Sequence, residues 1–221
     1  MNRIIILVLV AACGLTGCNK WAQDKSNIYA AVEAAGKSVS DAAPLSGSVK
    51  GTMLSGKTYT IDSDIVINVG DTLMIQSGVT LNFMNGSGLV VLGSLFSEGS
   101  KTAPVYMTVP GVTKNNTPGL SLTQDSAHIG LWKGIIGGTT CPMMVLKWTH
   151  IDFAGNTEGN TTSAIKQVNQ SATTSFNILF QNYNGDFIME DSWVYGGTDD
   201  CIRISSGKVH VFRNTFEKCG G

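Results

Sequence analysis

The feature that most limits what this chain can fold into is a short pattern that recurs in its second half. DFIMEDSWV at 186–194 lies over VHVFRNTFE at 209–217 when shifted by 23 residues, which pairs Ile188 with Val211, Asp191 with Asn214 and Trp193 with Phe216. MVLKWTHID at 144–152 puts Leu146, Thr149 and Ile151 at the same places, 42 residues before Ile188, Asp191 and Trp193. The rule is an apolar residue, a small polar one three on, and an apolar one two later. A unit this short cannot bury its own apolar face, so it must stack on copies of itself. Strand alternation agrees: Val209, His210 and Val211 read in, out, in, and Asn214 falls where a turn residue stacks. This register sends Trp193 into the core with Ile151 and Phe216, and leaves Trp148 and Phe212 on the opposite, outward parity.

Upstream, short apolar alternations predict strands at 59–61, 65–67, 73–75, 79–83, 89–92 and 105–109. Gly- and Asn-rich turns separate them, mostly too long for two-residue hairpins, and helical crossovers are missing, which argues against a βαβ sheet. GVTLNF at 78–83, GLVVLGSL at 88–95, Glu98-Gly99, Pro104-Val105 and WKGI at 132–135 together resemble the opening turns of bacterial exported β-helix proteins of the pectin-lyase-like superfamily. The resemblance covers residues 50–221 and implies an all-β chain, a right-handed parallel β-helix solenoid. It guides fold far better than activity. Two polar stretches, 110–127 and 156–174, are expected to project as loops that wall a binding groove.

The N-terminus carries the most specific signal. Arg3 is followed by the apolar run 4–12 and then Leu15-Thr16-Gly17-Cys18, which resembles a bacterial lipobox. The resemblance implies a signal peptide over 1–17, cleavage before Cys18, acylation of that residue, and a membrane as partner through the lipid anchor. Asn19 in place of Asp implies the outer membrane. Residues 18–45 form the lipidated N-terminus and tether, with a short helix expected over NIYAAVEAA at 27–35 behind an N-cap at Ser26; the β-helix then occupies 46–221. With a formal net charge of −1, nothing recruits nucleic acid. Once Cys13 and Cys18 are set aside, Cys141, Cys201 and Cys219 remain in a disulfide-permissive setting. The spacing of Cys201 and Cys219, close to one coil, fits a bridge across the stack or two buried thiols.

Candidate chemistry is sparse. GTDDCIRISSG at 197–207 resembles the Asp-Asp-Cys-Ile segment of polygalacturonases, inverting hydrolases on this fold, and implies Asp199 and Asp200 as paired acids. That family has another Asp one coil earlier, where this chain has Ile178, and a His one coil later, which this sequence does not reach. The same segment also fits a turn whose carboxylates cap backbone amides. A polysaccharide lyase reading draws on Lys147, His150 and Asp152, then on Arg203, Lys208, His210 and Arg213, with acidic groups or Ca²⁺ neutralising a uronate. Outward Lys, Arg and His are also the default on a solenoid surface. No Cys/His spacing points to a metal and no resident cofactor is expected. Among Trp132, Trp148, Trp193, Tyr195 and Phe212, those facing out can stack on sugar rings; Trp148, Phe212, Arg203 and His210 are the glycan-binding candidates. The expected function is glycan or surface binding, or a structural role, by a lipid-anchored exported protein, the alternative being a lyase or hydrolase acting on a uronate-rich polymer. No amphipathic cap follows Asn214, so either the chain is a fragment or its last coil is exposed and prone to assembly.

Overall fold

A computed structural model describes residues 36–84, 86–156 and 175–220, all within one compact unit. The expected lipobox and the helix over 27–35 lie outside the described residues. The described residues wind through six coils of three strands each. The first holds β1 (Leu45–Ser48), β2 (Gly51–Met53) and the first half of β3 (Thr58–Ile67); the second holds the rest of β3, β4 (Thr72–Ile75) and β5 (Thr80–Phe83). The third has β6 (Leu89–Val91), β7 (Ser94–Glu98) and β8 (Val105–Thr108); the fourth has β9 (Ile135–Gly137), β10 (Met143–Lys147) and β11 (Thr149–Asp152). The fifth has β12 (Ile178–Phe180), β13 (Asp186–Glu190) and β14 (Trp193–Tyr195), and the sixth β15 (Ile202–Ile204), β16 (Lys208–Phe212) and β17 (Thr215–Glu217).

Each strand pairs in parallel with its counterparts above and below, so the coils stack into a parallel β-helix with three faces. Face A runs β2-β4-β7-β10-β13-β16. Face B runs from the first half of β3 through β5, β8, β11 and β14 to β17, and face C joins β1, the second half of β3, β6, β9, β12 and β15. Faces B and C meet within β3, where Asp62 and Ser63 are exposed between the buried pairs Tyr59, Ile61 and Ile65, Ile67. The two strands expected at 59–61 and 65–67 are thus one strand turning a corner.

Inward positions stack into apolar columns: Leu73, Leu95, Met144 and Phe187 on face A, Leu81, Met107, Ile151 and Val194 on face B, Leu89, Ile135 and Ile178 on face C, all fully buried. Burying each such side chain contributes roughly 1.5–3 kcal/mol. Outward rows on two faces are apolar as well: Met74, Phe96, Val145 and Ile188 on face A, and Val90, Ile136 and Leu179 on face C, are buried. The coils approach so closely at the ends of β7 that a Cβ on Gly93 would collide with the Asp71 carbonyl and one on Gly99 with that of Trp148; only glycine fits.

The repeat is 22 residues, not 23: Ile188 lies beside His210, Met189 beside Val211 and Val194 beside Phe216. The longer step upstream is 43, with Val145 beside Ile188 and His150 beside Trp193. A slip of one residue exchanges the two sides of a strand, so Trp193 points outward and Val194 takes the core position. The polar column at the A–B corner is correspondingly Thr149, Ser192, Asn214. The Thr149 amide donates to Ser192 Oγ at 3.0 Å, and the Ser192 amide to Asn214 Oδ1 at 2.8 Å. The residue before each of these turns is left-handed although none is glycine: Trp148 at φ 46°, Asp191 at 50° and Arg213 at 55°. Cys201 and Cys219 form a disulfide that closes the sixth coil, and Cys141 is a buried free thiol pushed up to about 12 by burial.

Candidate functional site on face B

The corrected register lines up one outward row along face B: Thr58, Thr80, Tyr106, His150, Trp193 and Thr215. A second row beside it begins with Thr60, Asn82 and Thr108 and continues with Asp152, Tyr195 and Glu217. Alternation dictates this, since Val105 and Met107, Thr149 and Ile151, and Val194 fill the interior between them. Three consecutive rungs therefore carry aromatic rings. The Tyr106 and His150 centroids are 4.9 Å apart and those of His150 and Trp193 5.7 Å, with planes tilted by 43° and 31°. Tyr106 is 39% exposed, and His150 and Trp193 are half-buried.

One margin of this strip is built by the insertion between β8 and β9, which folds back over face B rather than projecting. Asp125 caps a single 3-10 turn (Ser126–His128) by accepting from the Ala127 amide at 3.0 Å, and the Ala127 carbonyl accepts from the Gly197 amide at 2.7 Å. Tyr195, on an outward position, is consequently fully buried: its hydroxyl accepts from the Asn115 amide at 3.2 Å and its ring meets Phe153 edge-on at 5.4 Å. The Lys114 ammonium lies 2.8 Å from Asp152 Oδ1, 4.9 Å from the Trp193 ring centroid and 4.8 Å from that of Tyr195. Lys218 fastens the insertion from below, 2.6 Å from Asp125 Oδ2 and 2.5 Å from the Asn115 carbonyl oxygen. A shallow cavity of about 420 Å³ lies between residues 116–120 and Asp125, Glu217 and Lys218.

Burial pushes the Asp152 carboxyl above its ordinary range, with the Lys114 contact and charge opposing, and pushes the His150 imidazole below its own. A lowered imidazole is neutral near pH 7, so the middle of the strip presents an uncharged aromatic ring. Among the described residues, no group of three or more His, Cys, Asp and Glu side chains is placed to hold a metal ion.

The other candidates occupy separate surfaces. Asp199 Oδ1 accepts from the Asp200 amide at 2.9 Å, and Asp200 pairs with Arg203 (Oδ2 to Nε, 3.0 Å) on face C, where the Arg203 guanidinium also lies 4.6 Å from the Phe176 ring centroid. His210 and Phe212 sit on face A of the sixth coil, His210 Nε2 3.1 Å from buried Glu190 and Phe212 50% exposed under the Arg213 guanidinium. Trp148 is half-buried at the A–B corner. Trp132 is core, stacked on Phe83 at 3.9 Å with its Nε1 donating to the Asp152 carbonyl. Tyr106 was legible from the parity of Val105 and Met107, and Trp193 from counting 22 rather than 23. Lys114 carries no local signal, because its partner is on another coil.

No protein-family model matches the chain, and no solved structure matches it. Protein bark beetle of Drosophila melanogaster is 43% identical to it over 49 residues, which is 22% of this chain and 2% of that protein. The chain thus spans only about 2% of the length of that curated relative.

Proposed function

We propose that face B is a glycan-binding surface of an exported, lipid-anchored β-helix protein. The observation that carries this reading is the run of Tyr106, His150 and Trp193 on successive rungs, bordered by Thr58, Thr60, Thr80, Asn82 and Thr108. A sugar ring offers a face of C–H groups to the electron-rich face of an aromatic ring and hydroxyls to its neighbours. Rungs spaced about 4.8 Å apart repeat that offer along the solenoid axis, which suits a polymer better than a single small ligand. Affinity electrophoresis through gels cast with acidic and neutral polysaccharides tests the idea. Tyr106→Ala combined with Trp193→Ala is expected to weaken retardation roughly ten- to hundredfold; unchanged retardation would refute the assignment.

The lyase alternative draws on a different observation, the Lys114–Asp152 pair beside His150. Unsaturated product released from polygalacturonate or alginate, and abolished by Asp152→Asn, would establish that reading in place of the first. Anchoring rests on the lipobox resemblance alone, and a Cys18→Ala variant is expected to leave the membrane fraction.

A further inference from the structure

We infer, on the premise that face B binds glycans as proposed above, that the polymer it takes is uncharged and unbranched, and that the surface selects against uronate chains. No lysine or arginine stands in either outward row. The small polar groups there are the hydroxyls of Thr58, Thr60, Thr80 and Thr108 and the amide of Asn82, each able to donate to and accept from a sugar hydroxyl. His150, in the middle, is neutral near pH 7 because burial lowers it. The charges that the rows do carry are carboxylates, Asp152 and Glu217.

The ammonium that leans over the strip is already engaged. Lys114 Nζ lies 2.8 Å from Asp152 Oδ1 and 4.9 Å from the Trp193 ring centroid, and Asp152 is only 6% exposed. A uronate that drew Lys114 away would strand a buried carboxylate, which costs far more than a new surface pair returns. A uronate that left Lys114 in place would meet Asp152 and Glu217, charges of its own sign, while Lys218 is held 2.6 Å from Asp125 Oδ2. Such like-charge opposition is how a surface refuses a competitor. At the margin towards face A, Lys57 beside Asp41 and Lys101 on the turn before β8 are exposed, where an ion pair contributes little.

The width of the strip excludes branches. Thr60, Asn82 and Thr108 in the second row keep partial exposure, whereas Asp152 and Tyr195, on the next two rungs of that row, are buried beside Lys114 and Asn115. The open surface therefore narrows from two residues to one between the Tyr106 rung and the His150 rung. A linear chain passes that step with its ring faces on the aromatics. A backbone carrying frequent side sugars meets the insertion.

Affinity electrophoresis of the unaltered full chain tests the class, in gels cast with mixed-linkage β-glucan or glucomannan in one series and polygalacturonate or alginate in the other, each at about 20 mM and about 300 mM salt. Retardation is expected from at least one of the linear neutral polymers, changing less than about twofold with salt, and from neither uronate polymer. Asn82→Lys, which adds a free cation to the open half of the strip, is expected to confer retardation by polygalacturonate at the lower salt that disappears at the higher. A uronate polymer that retards the unaltered chain as strongly as any neutral one, or a heavily branched galactomannan that matches glucomannan, would overturn this inference and leave glycan binding standing. No retardation by any polymer would overturn both.

Discussion

Removing the disulfide by the double change Cys201→Ser and Cys219→Ser should loosen one coil and leave the rest intact. The bridge spans a sequence separation of 18, and the chain-entropy relation for a loop of that size gives about 3 kcal/mol. In a two-layer domain that loss would fall on the whole fold. In a solenoid each coil touches only its neighbours, and the sixth, stacked only on the fifth among the described residues, can open by itself. A local loss of about 3 kcal/mol raises the opening constant by roughly two orders of magnitude. Hydrogen exchange under native conditions should show peptides covering 202–217 exchanging about a hundredfold faster. Peptides covering β4–β8 should not change. Equal acceleration in every coil would mean that the molecule opens as one unit and would refute the nearest-neighbour argument; no acceleration would show that packing alone holds the last coil.

The register makes a sharp contrast on one column. Met189→Ala, at a fully buried position, should cost about 2–5 kcal/mol, while Val211→Ala directly above it, 42% exposed, should cost less than about 1 kcal/mol; chemical denaturation measures both, and a 23-residue register would place Val211 over Ile188 instead. Ser192→Ala strips the Thr149 amide of its acceptor in a buried corner and should destabilise by about 1–3 kcal/mol, with Ser192→Thr recovering part of the loss. Titration should separate two kinds of carboxylate. Asp152 is raised, chiefly by burial, so its favourable contribution is complete below about 3.8 and is lost as pH climbs through its folded value. Asp125, held down by Lys218, and Asp191, held down by Arg213, contribute above about 3.8 and lose that contribution as pH falls through their lowered values. Relative to the unaltered chain, Asp152→Asn should therefore gain stability as pH rises from about 4 to 7, whereas Asp191→Asn should lose it as pH rises towards about 4 and then stay level, read from urea midpoints at each pH.

Much of the fold was legible because alternation is a local property. Val105, Tyr106 and Met107, or Leu81, Asn82 and Phe83, announce which side faces in without reference to any other coil. Register was harder, since β16 is apolar on both parities: Val209 and Val211 on one side, Phe212 on the other. Shifts of 22 and 23 both set apolar residues on apolar residues, and the wrong one placed Trp193 in the core. The candidate site suffered most from this error, because whether Tyr106, His150 and Trp193 form a strip depends entirely on the shift. The margin supplied by Lys114 and Asn115 had no signal at all, since polar composition reads the same whether an insertion projects or folds back.

The amino-acid order alone determined that this chain makes short strands and turns that must stack, because period-two alternation and repeated turn residues act over a few neighbours. The tertiary structure decided what those strands present. Corners at Trp148, Asp191 and Arg213 adopt a left-handed conformation that no glycine marks, and the hydrogen-bond ladders between coils, not the side chains of one strand, choose the register. Once that choice is made, every outward residue acquires its neighbours on the rungs above and below, and a surface exists that no single coil encodes.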